Sequence, residues 1–195
     1  MERAFVINSN TAVTEFKDEQ LRSLSSLTGR LDVIIRSLLA ALTWREGVRR
    51  NVSFYAVLNG PPKPPLTVEV HGYAIKQLPL SEVDAAKLVY RCVKEEVKGV
   101  KLKRIGLKDV LISLKYKGYT LIYLKEDGRD INRYRFEAEG KYCFIVGDQI
   151  GLKRSEEEIL EKVGVTKLSI GPLSYLSSHC IIYVNALLDR VERTF

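Results

Sequence analysis

KYCFIVGDQIGLKRSEEEILEKVGVTKLSI, residues 141–170, decides the fold. KYCFIVG is a short apolar run rich in aromatic and β-branched residues, bounded by glycine, and reads as a strand. DQIGLKR is polar and glycine-broken, so it reads as a loop. In SEEEILEKVG, Ser155 and Glu158 have the spacing of a capping box, which predicts a helix starting there. VTKLSI returns to the strand pattern. A strand, a helix and a second strand in that order call for a parallel crossover, and hence for an α/β sheet.

The same logic extends outward. Upstream, YTLIYL predicts another strand, followed by the loop KEDGRDIN. Downstream, SIGPLSYLSSHC joins the last strand to the helical IIYVNALLDRVERTF. It carries a glycine, a proline, four serines, Cys180 and a histidine that reads as buried, His179. A mere connector is usually shorter and plainer. In the amino-terminal half, AFVINSN predicts a strand, and TGRLDVIIRSLLAALTWREG a helix with Leu31, Ile34, Ile35, Leu38 and Leu42 on one face. VSFYAVL and LTVEVHGY read as strands separated by NGPPKPP, whose prolines lack the donor either regular structure needs. Ser81 and Asp84 cap a helix over EVDAAKLVYRCVKEEV, with Val83, Leu88, Val89 and Val93 apolar, and GLKDVLISLKYKG adds a shorter helix. There is no internal repeat and no break in composition, so residues 1–195 read as a single domain.

Composition narrows the class. Hydrophobic residues at 46% and charged ones at 28% suit a folded globular chain, and the net charge of +7 favours an anionic partner, nucleic acid foremost. No apolar run approaches the ~20 residues of a membrane span, and the first ten residues lack a signal peptide's apolar stretch. A cytoplasmic protein without a membrane anchor is expected. Cys92, Cys143 and Cys180 are odd in number and have no C-x-x-C spacing, so neither a disulfide framework nor a bound metal is expected. Cys92 and Cys143 read as small buried hydrophobes.

In an open parallel sheet, ligands collect beyond the carboxyl ends of strands. Three loops qualify here: after Leu124, at Gly147, and over Ile170, Gly171, Pro172, Leu173, Ser174 and Tyr175. Gly147, Gly151 and Gly171 permit close backbone approach. The chain contains neither G-x-G-x-x-G nor G-x-x-x-x-G-K-[ST], which weighs against nicotinamide or triphosphate chemistry. His179 and Cys180 are sequence neighbours on a helix and diverge, so they do not form a nucleophilic pair.

These residues also carry a family likeness. GRLDVIIRSLLAAL with the following Arg49 and Arg50, LKEDGRDI, FIVGDQIGL, SEEEIL and LSIGPLSYLSSHCIIYVNALLDR together resemble the archaeal TrmY family, in matching order over nearly the whole chain. The resemblance implies a SPOUT-type methyltransferase fold with a mostly parallel sheet flanked by helices. It further implies a deep trefoil knot at the carboxyl terminus, within a cofactor-binding part at about residues 119–195. The implied activity is methylation of N1 of pseudouridine 54 in the tRNA T-loop, with S-adenosylmethionine as cofactor and a homodimer as the working form. Alternatives are another RNA site, such as a ribosomal pseudouridine or a ribose 2′-hydroxyl, or a non-catalytic dimeric RNA-binding relative. Carried over by position, the cofactor contacts are Leu124, Gly147, Ile170, Gly171, Pro172, Leu173, Ser174, Tyr175 and Cys180. Asp32 and Arg36 are the catalytic candidates, and Arg30, Arg45, Arg49 and Arg50 the expected RNA contacts. The chain departs from the family pattern at Trp44, Glu46 and Gln149, near positions where histidine is common.

Overall fold

The computed structural model describes residues 1–15, 20, 23–45, 47–92 and 95–193. Val93 and Glu46, singled out above, lie outside the described residues. Seven strands form one sheet. In chain order they are β1 (Glu2–Ser9), β4 (Val52–Leu58), β5 (Leu66–His71), β6 (Val100–Lys103), β7 (Thr120–Asp130), β8 (Lys141–Gly147) and β9 (Thr166–Ser169). β2 (Thr43–Trp44) and β3 (Gly47–Val48) pair separately as a small hairpin. The sheet order is β6-β5-β4-β1-β8-β7-β9. β1 pairs parallel with β4 and β8, and β7 parallel with β8 and β9. β5 runs antiparallel to β4, and β6 to β5, at one edge, so the sheet is mostly parallel, as expected, and wholly so from β4 to the opposite edge at β9.

β1 shows why the sheet sits in the middle. Residues 3–9 are all buried, the pattern of a parallel strand covered on both faces. Phe5 and Ile7 pack on one side with Ile34, Ile35, Leu38 and Leu42 of α2 (Leu31–Leu42), and with Ile181, Val184 and Leu188 of α6 (Ser177–Arg193). On the other side Ala4 and Val6 pack with Val110, Leu111 and Leu114 of α4 (Leu107–Tyr116) and Leu160 of α5 (Arg154–Val163). The alternation of strand side chains thus divides the core into two layers. α1 (Leu24–Leu27) precedes α2, and α3 (Glu82–Arg91) joins the α2 layer through Ala85, Ala86 and Val89.

Several local expectations shift. The helix inferred through residue 47 stops at Leu42; Thr43 is extended, and Thr43 and Trp44 pair with Val48 and Gly47 as the β2–β3 hairpin, with Gly47 at φ +151°. The Ser81 hydroxyl does cap α3, accepting from the Asp84 amide at 3.4 Å. At α5 the cap lies two residues earlier than Ser155: the helix begins at Arg154 and the Glu156 carboxylate accepts from the Lys153 amide at 2.6 Å. VKLK, to which no strand is assigned above, is the edge strand β6. Cys143 is fully buried in β8, whereas Cys92 closes α3 and is only partly buried.

Candidate functional site

The carboxyl ends of β7, β8 and β9 open onto a cavity of about 500 Å³. Its size falls within the range of small-molecule sites. Leu124, Gly147, Ile170, Gly171, Leu173, Ser174, Tyr175 and Cys180 all line it. Pro172, expected with them, is exposed and lies outside the lining, since the chain turns there between its lining neighbours Gly171 and Leu173.

Each wall has a local cause. Along β7, both Leu124 and Arg129 pair with Leu168 of β9, so residues 125–128 are thrown out as a bulge. Gly128 allows this, because a β-carbon there would meet the Leu168 backbone at 2.5 Å. The loop expected after Leu124 is therefore a bulge within a strand that continues to Asp130, and it brings Lys125 and Glu126 to the cavity. At the end of β8, Gly147 passes so close to Gly151 that an added β-carbon would stand 2.6 Å from its Cα. The buried Asp148 fixes this turn: its carboxylate accepts from the Ser9 hydroxyl at 2.8 Å, the Asn10 amide at 3.0 Å and the Ile150 amide at 2.9 Å. After β9, the Ser169 hydroxyl accepts from the Gly171 amide at 3.1 Å. The first turn of α6 is tied to the β8 loop by Ser177, which donates to the Gly147 carbonyl at 2.7 Å.

Cys180 lies at the cavity with its sulfur 3.8 Å from the Tyr175 carbonyl, and burial pushes its thiol up to about 11. It stays a neutral thiol at physiological pH, which removes it as a nucleophile. His179 is exposed rather than buried.

The remaining wall comes from the start of α2. Gly29 at φ +59° and Arg30 at φ +70° turn the chain into the helix, and Gly29 is required because a β-carbon would meet the Thr11 carbonyl oxygen at 1.8 Å. Arg30 is the one non-glycine residue with positive φ among those described, a cost usually tolerated only where the side chain is needed. Its guanidinium grips Asp32 with two hydrogen bonds, 3.0 and 3.1 Å, and Arg36 donates to the same carboxylate from one turn on. Arg30 and Arg36 line the cavity, while Asp32, 6% exposed, stands behind them. Burial alone would raise the Asp32 carboxyl; the hydrogen bonds and charges of Arg30 and the charge of Arg36 outweigh it and hold the group below its ordinary range. An anion so held is a poor proton acceptor and a good anchor.

The other expected RNA contacts lie elsewhere. Arg45, Arg49 and Arg50 follow the far end of α2, about 18 Å along its axis from Arg30. Arg49 donates twice to Asp189, at 2.8 and 2.7 Å, and Arg50 to the carbonyls of Gly72, Ile75 and Lys76. Both guanidiniums bond within the fold, although Arg50, like Arg45, is exposed. Residues the sequence reading missed are Tyr123, Lys125, Glu126 and Glu157. Glu157 accepts from Lys125 and from the Tyr123 hydroxyl, and all four line the cavity. The signal available for them was the charged KED tripeptide ahead of Gly128.

Strand-end loops converging on one cavity of mixed polar and apolar lining define an α/β protein with a small-molecule site. Residues 2–193 match the family described as "Putative SAM-dependent RNA methyltransferase", and the chain belongs to that family. It is 36% identical over 204 residues to the tRNA (pseudouridine(54)-N(1))-methyltransferase of Pyrococcus abyssi, covering 97% of this chain and 98% of that one. The protein of the same name in Methanococcus maripaludis strain C5 is 31% identical over 198 residues, covering 97% and 100%. Among solved structures, Archaeoglobus fulgidus Nep1 bound to S-adenosylhomocysteine superposes with a TM-score of 0.65 at 19% identity over the full length of both chains, a likeness of fold. A ribosomal RNA small subunit methyltransferase E from Neisseria gonorrhoeae, bound to S-adenosyl methionine, gives 0.50 at 11% identity, covering 97% of this chain and 66% of that one.

The cavity fits the cofactor that the family requires. It has the volume, its lining is mixed polar and apolar, and Gly147 keeps main-chain groups accessible where any side chain would close the turn. Among the described residues no group of three or more His, Cys, Asp or Glu is placed to hold a metal ion, and no helix is long and apolar enough to cross a membrane.

Proposed function

We propose that the chain transfers a methyl group from S-adenosylmethionine to N1 of pseudouridine 54 in tRNA. The observation that carries this reading is the cavity at the ends of β7, β8 and β9, in a chain whose near-full-length relatives bear that activity in their names. Leu124, Gly147, Ile170, Gly171, Leu173, Ser174, Tyr175 and Cys180 hold the cofactor. When bound there, S-adenosylmethionine would supply an activated methyl for N1, whose proton would be lost to solvent. What the protein adds is alignment and exclusion of water. Arg30 and Arg36 present guanidinium donors at the cavity for the anionic RNA and the acceptor base, and Asp32 is a positioning residue that fixes both. Arg45 is a peripheral phosphate contact, and Arg49 and Arg50 act through the fold.

Finer features belong to the same proposal. The chain is a single domain, with residues from about 119 to 195 drawn into a deep trefoil knot, and it works in the cytoplasm as a homodimer. The exposed Leu176 and Ile182 near and on α6 supply apolar surface that suits a second copy, which light scattering would detect. The deciding experiment incubates the protein with labelled S-adenosylmethionine and tRNA carrying either pseudouridine or uridine at position 54. Label is expected in the first alone. Equal labelling of both, or labelling of ribosomal RNA instead, overturns the assignment of substrate.

A further inference from the structure

Resting on the assignment of S-adenosylmethionine to this cavity, we infer that Glu126 is the counter-charge for a cationic centre of the donor. Lys125 and Glu157 neutralise each other. Arg30 and Arg36 share Asp32. Asp148 is buried and spends its oxygens on Ser9, Asn10 and Ile150. Glu126 lines the cavity, is exposed, and makes no ion pair among the described residues. The Ser174 hydroxyl and the residue's own backbone amide, with the charge of Lys125, outweigh burial and the like charge of Asp127 and hold the carboxyl below its ordinary range.

Its placement is also built rather than incidental. The β7 bulge exists because Gly128 lets the backbone cross Leu168, and it carries Glu126 over to Ser174 on the loop after β9 and to the neighbourhood of Cys180 on α6. The carboxylate thus shares the cavity wall with Ser174 and Cys180. S-adenosylmethionine carries two cations, the sulfonium and the amino-acid ammonium. After methyl transfer the sulfonium charge is gone while the ammonium remains. A fixed anion beside the first would favour donor over product and assist release; beside the second it would hold both alike.

The test is calorimetry on the full chain, comparing wild type with Glu126→Gln and Glu126→Asp against S-adenosylmethionine, S-adenosylhomocysteine and 5′-methylthioadenosine, which has neither cation. Glu126→Gln should weaken S-adenosylmethionine roughly five- to tenfold, with a smaller loss at high salt, and leave methylthioadenosine within about twofold; Glu126→Asp should recover part of the loss. Loss for S-adenosylmethionine alone assigns the sulfonium, and equal loss for S-adenosylhomocysteine assigns the ammonium. If all three ligands weaken together, Glu126 only supports the loop; if none weakens, it has no part in binding. Either result overturns the inference. Failure of wild type to bind S-adenosylmethionine would instead overturn the underlying cofactor assignment.

Discussion

At the two ends of β1 the chain uses arginine in opposite ways. Beyond the carboxyl end, Arg30 and Arg36 share one carboxylate, Asp32, and remain part of the cavity wall. At the amino end, Arg3 is fully buried and donates to Asp189 at 2.7 Å, Glu192 at 2.6 Å and the Asn185 side chain at 3.1 Å, while Arg49 takes both remaining directions of Asp189. The first arrangement leaves donors available to a ligand; the second uses them to pin α6 to β1 and to the hairpin after α2. The same residue type therefore lines a cavity at one end and ties elements together at the other, and what separates them is whether the guanidinium borders open space or links distant parts of the chain.

Removing Asp189 should break that comparison most severely. Asp189→Ala leaves the buried Arg3 with fewer acceptors and Arg49 with none of its carboxylate bonds. Discounted for partial exposure, the cost should be about 2–4 kcal/mol and roughly 10 °C in Tm, read by thermal melts. Affinity for S-adenosylmethionine should not change. Burial opposes ionisation of Asp189, but the hydrogen bonds and charges of Arg49 and Arg3 win and set its folded value below the ordinary 3.8. A depressed carboxylate stabilises fully above its unfolded value and loses that contribution as pH falls through the folded one. Wild type and variant should accordingly converge in stability as the pH drops below about 3.8. A gap that persists there would mean packing, not charge, holds the helix.

At the cavity end, the next largest effect should come from Gly147→Val. The new side chain meets the Gly151 backbone at 2.6 Å, where neither partner is a flexible tip. The β8 loop has to move, so affinity for S-adenosylmethionine should fall about a hundredfold, or ~2.7 kcal/mol, by calorimetry. A melting temperature close to wild type would place that loss in the site rather than in the fold.

How far these two ends could be told apart in the sequence depends on the interaction concerned. The strands and the three loops at the cavity were legible because hydrophobic period and glycine placement are local signals. Gly147, Gly171 and the segment between Ile170 and Tyr175 therefore come together as expected. The partners of Arg49 and Arg50 were not legible: RR after a helix looks like a phosphate-binding pair, and nothing local announces that Arg49 donates to Asp189, 140 residues on, or that Arg50 donates to main-chain carbonyls. Asp32 was identified as near the chemistry but not as the carboxylate shared by two arginines, because the left-handed turn at Arg30 aims its side chain forward along α2. The bulge that delivers Glu126 was hidden for a similar reason: it depends on the register of β7 against β9, a pairing across the sheet that KEDG does not announce.

Asp32→Asn sharpens the comparison within the cavity wall. It keeps the shape and removes the charge that fixes Arg30 and Arg36. Turnover on tRNA should drop roughly ten- to hundredfold, the scale of a misplaced binding group, while cofactor affinity stays within about twofold. Asp32→Glu should restore part of the rate, which a purely steric role would not allow.

The smallest effect discriminates the two kinds of arginine most directly. Binding to tRNA releases counterions in proportion to the phosphates a protein contacts, so the slope of log K against log salt counts those contacts. Arg30→Gln removes a guanidinium at the cavity mouth and should flatten the slope by about one, a change of a few-fold in affinity near physiological salt. Arg49→Gln takes away a cation of the same charge, but one held by two hydrogen bonds to Asp189 that it would have to release before meeting a phosphate. Its slope should match wild type even as the protein melts earlier. Should the two variants exchange these behaviours, the phosphate track lies at the amino ends of the strands, and the division drawn between ligand-facing and structural arginines is reversed.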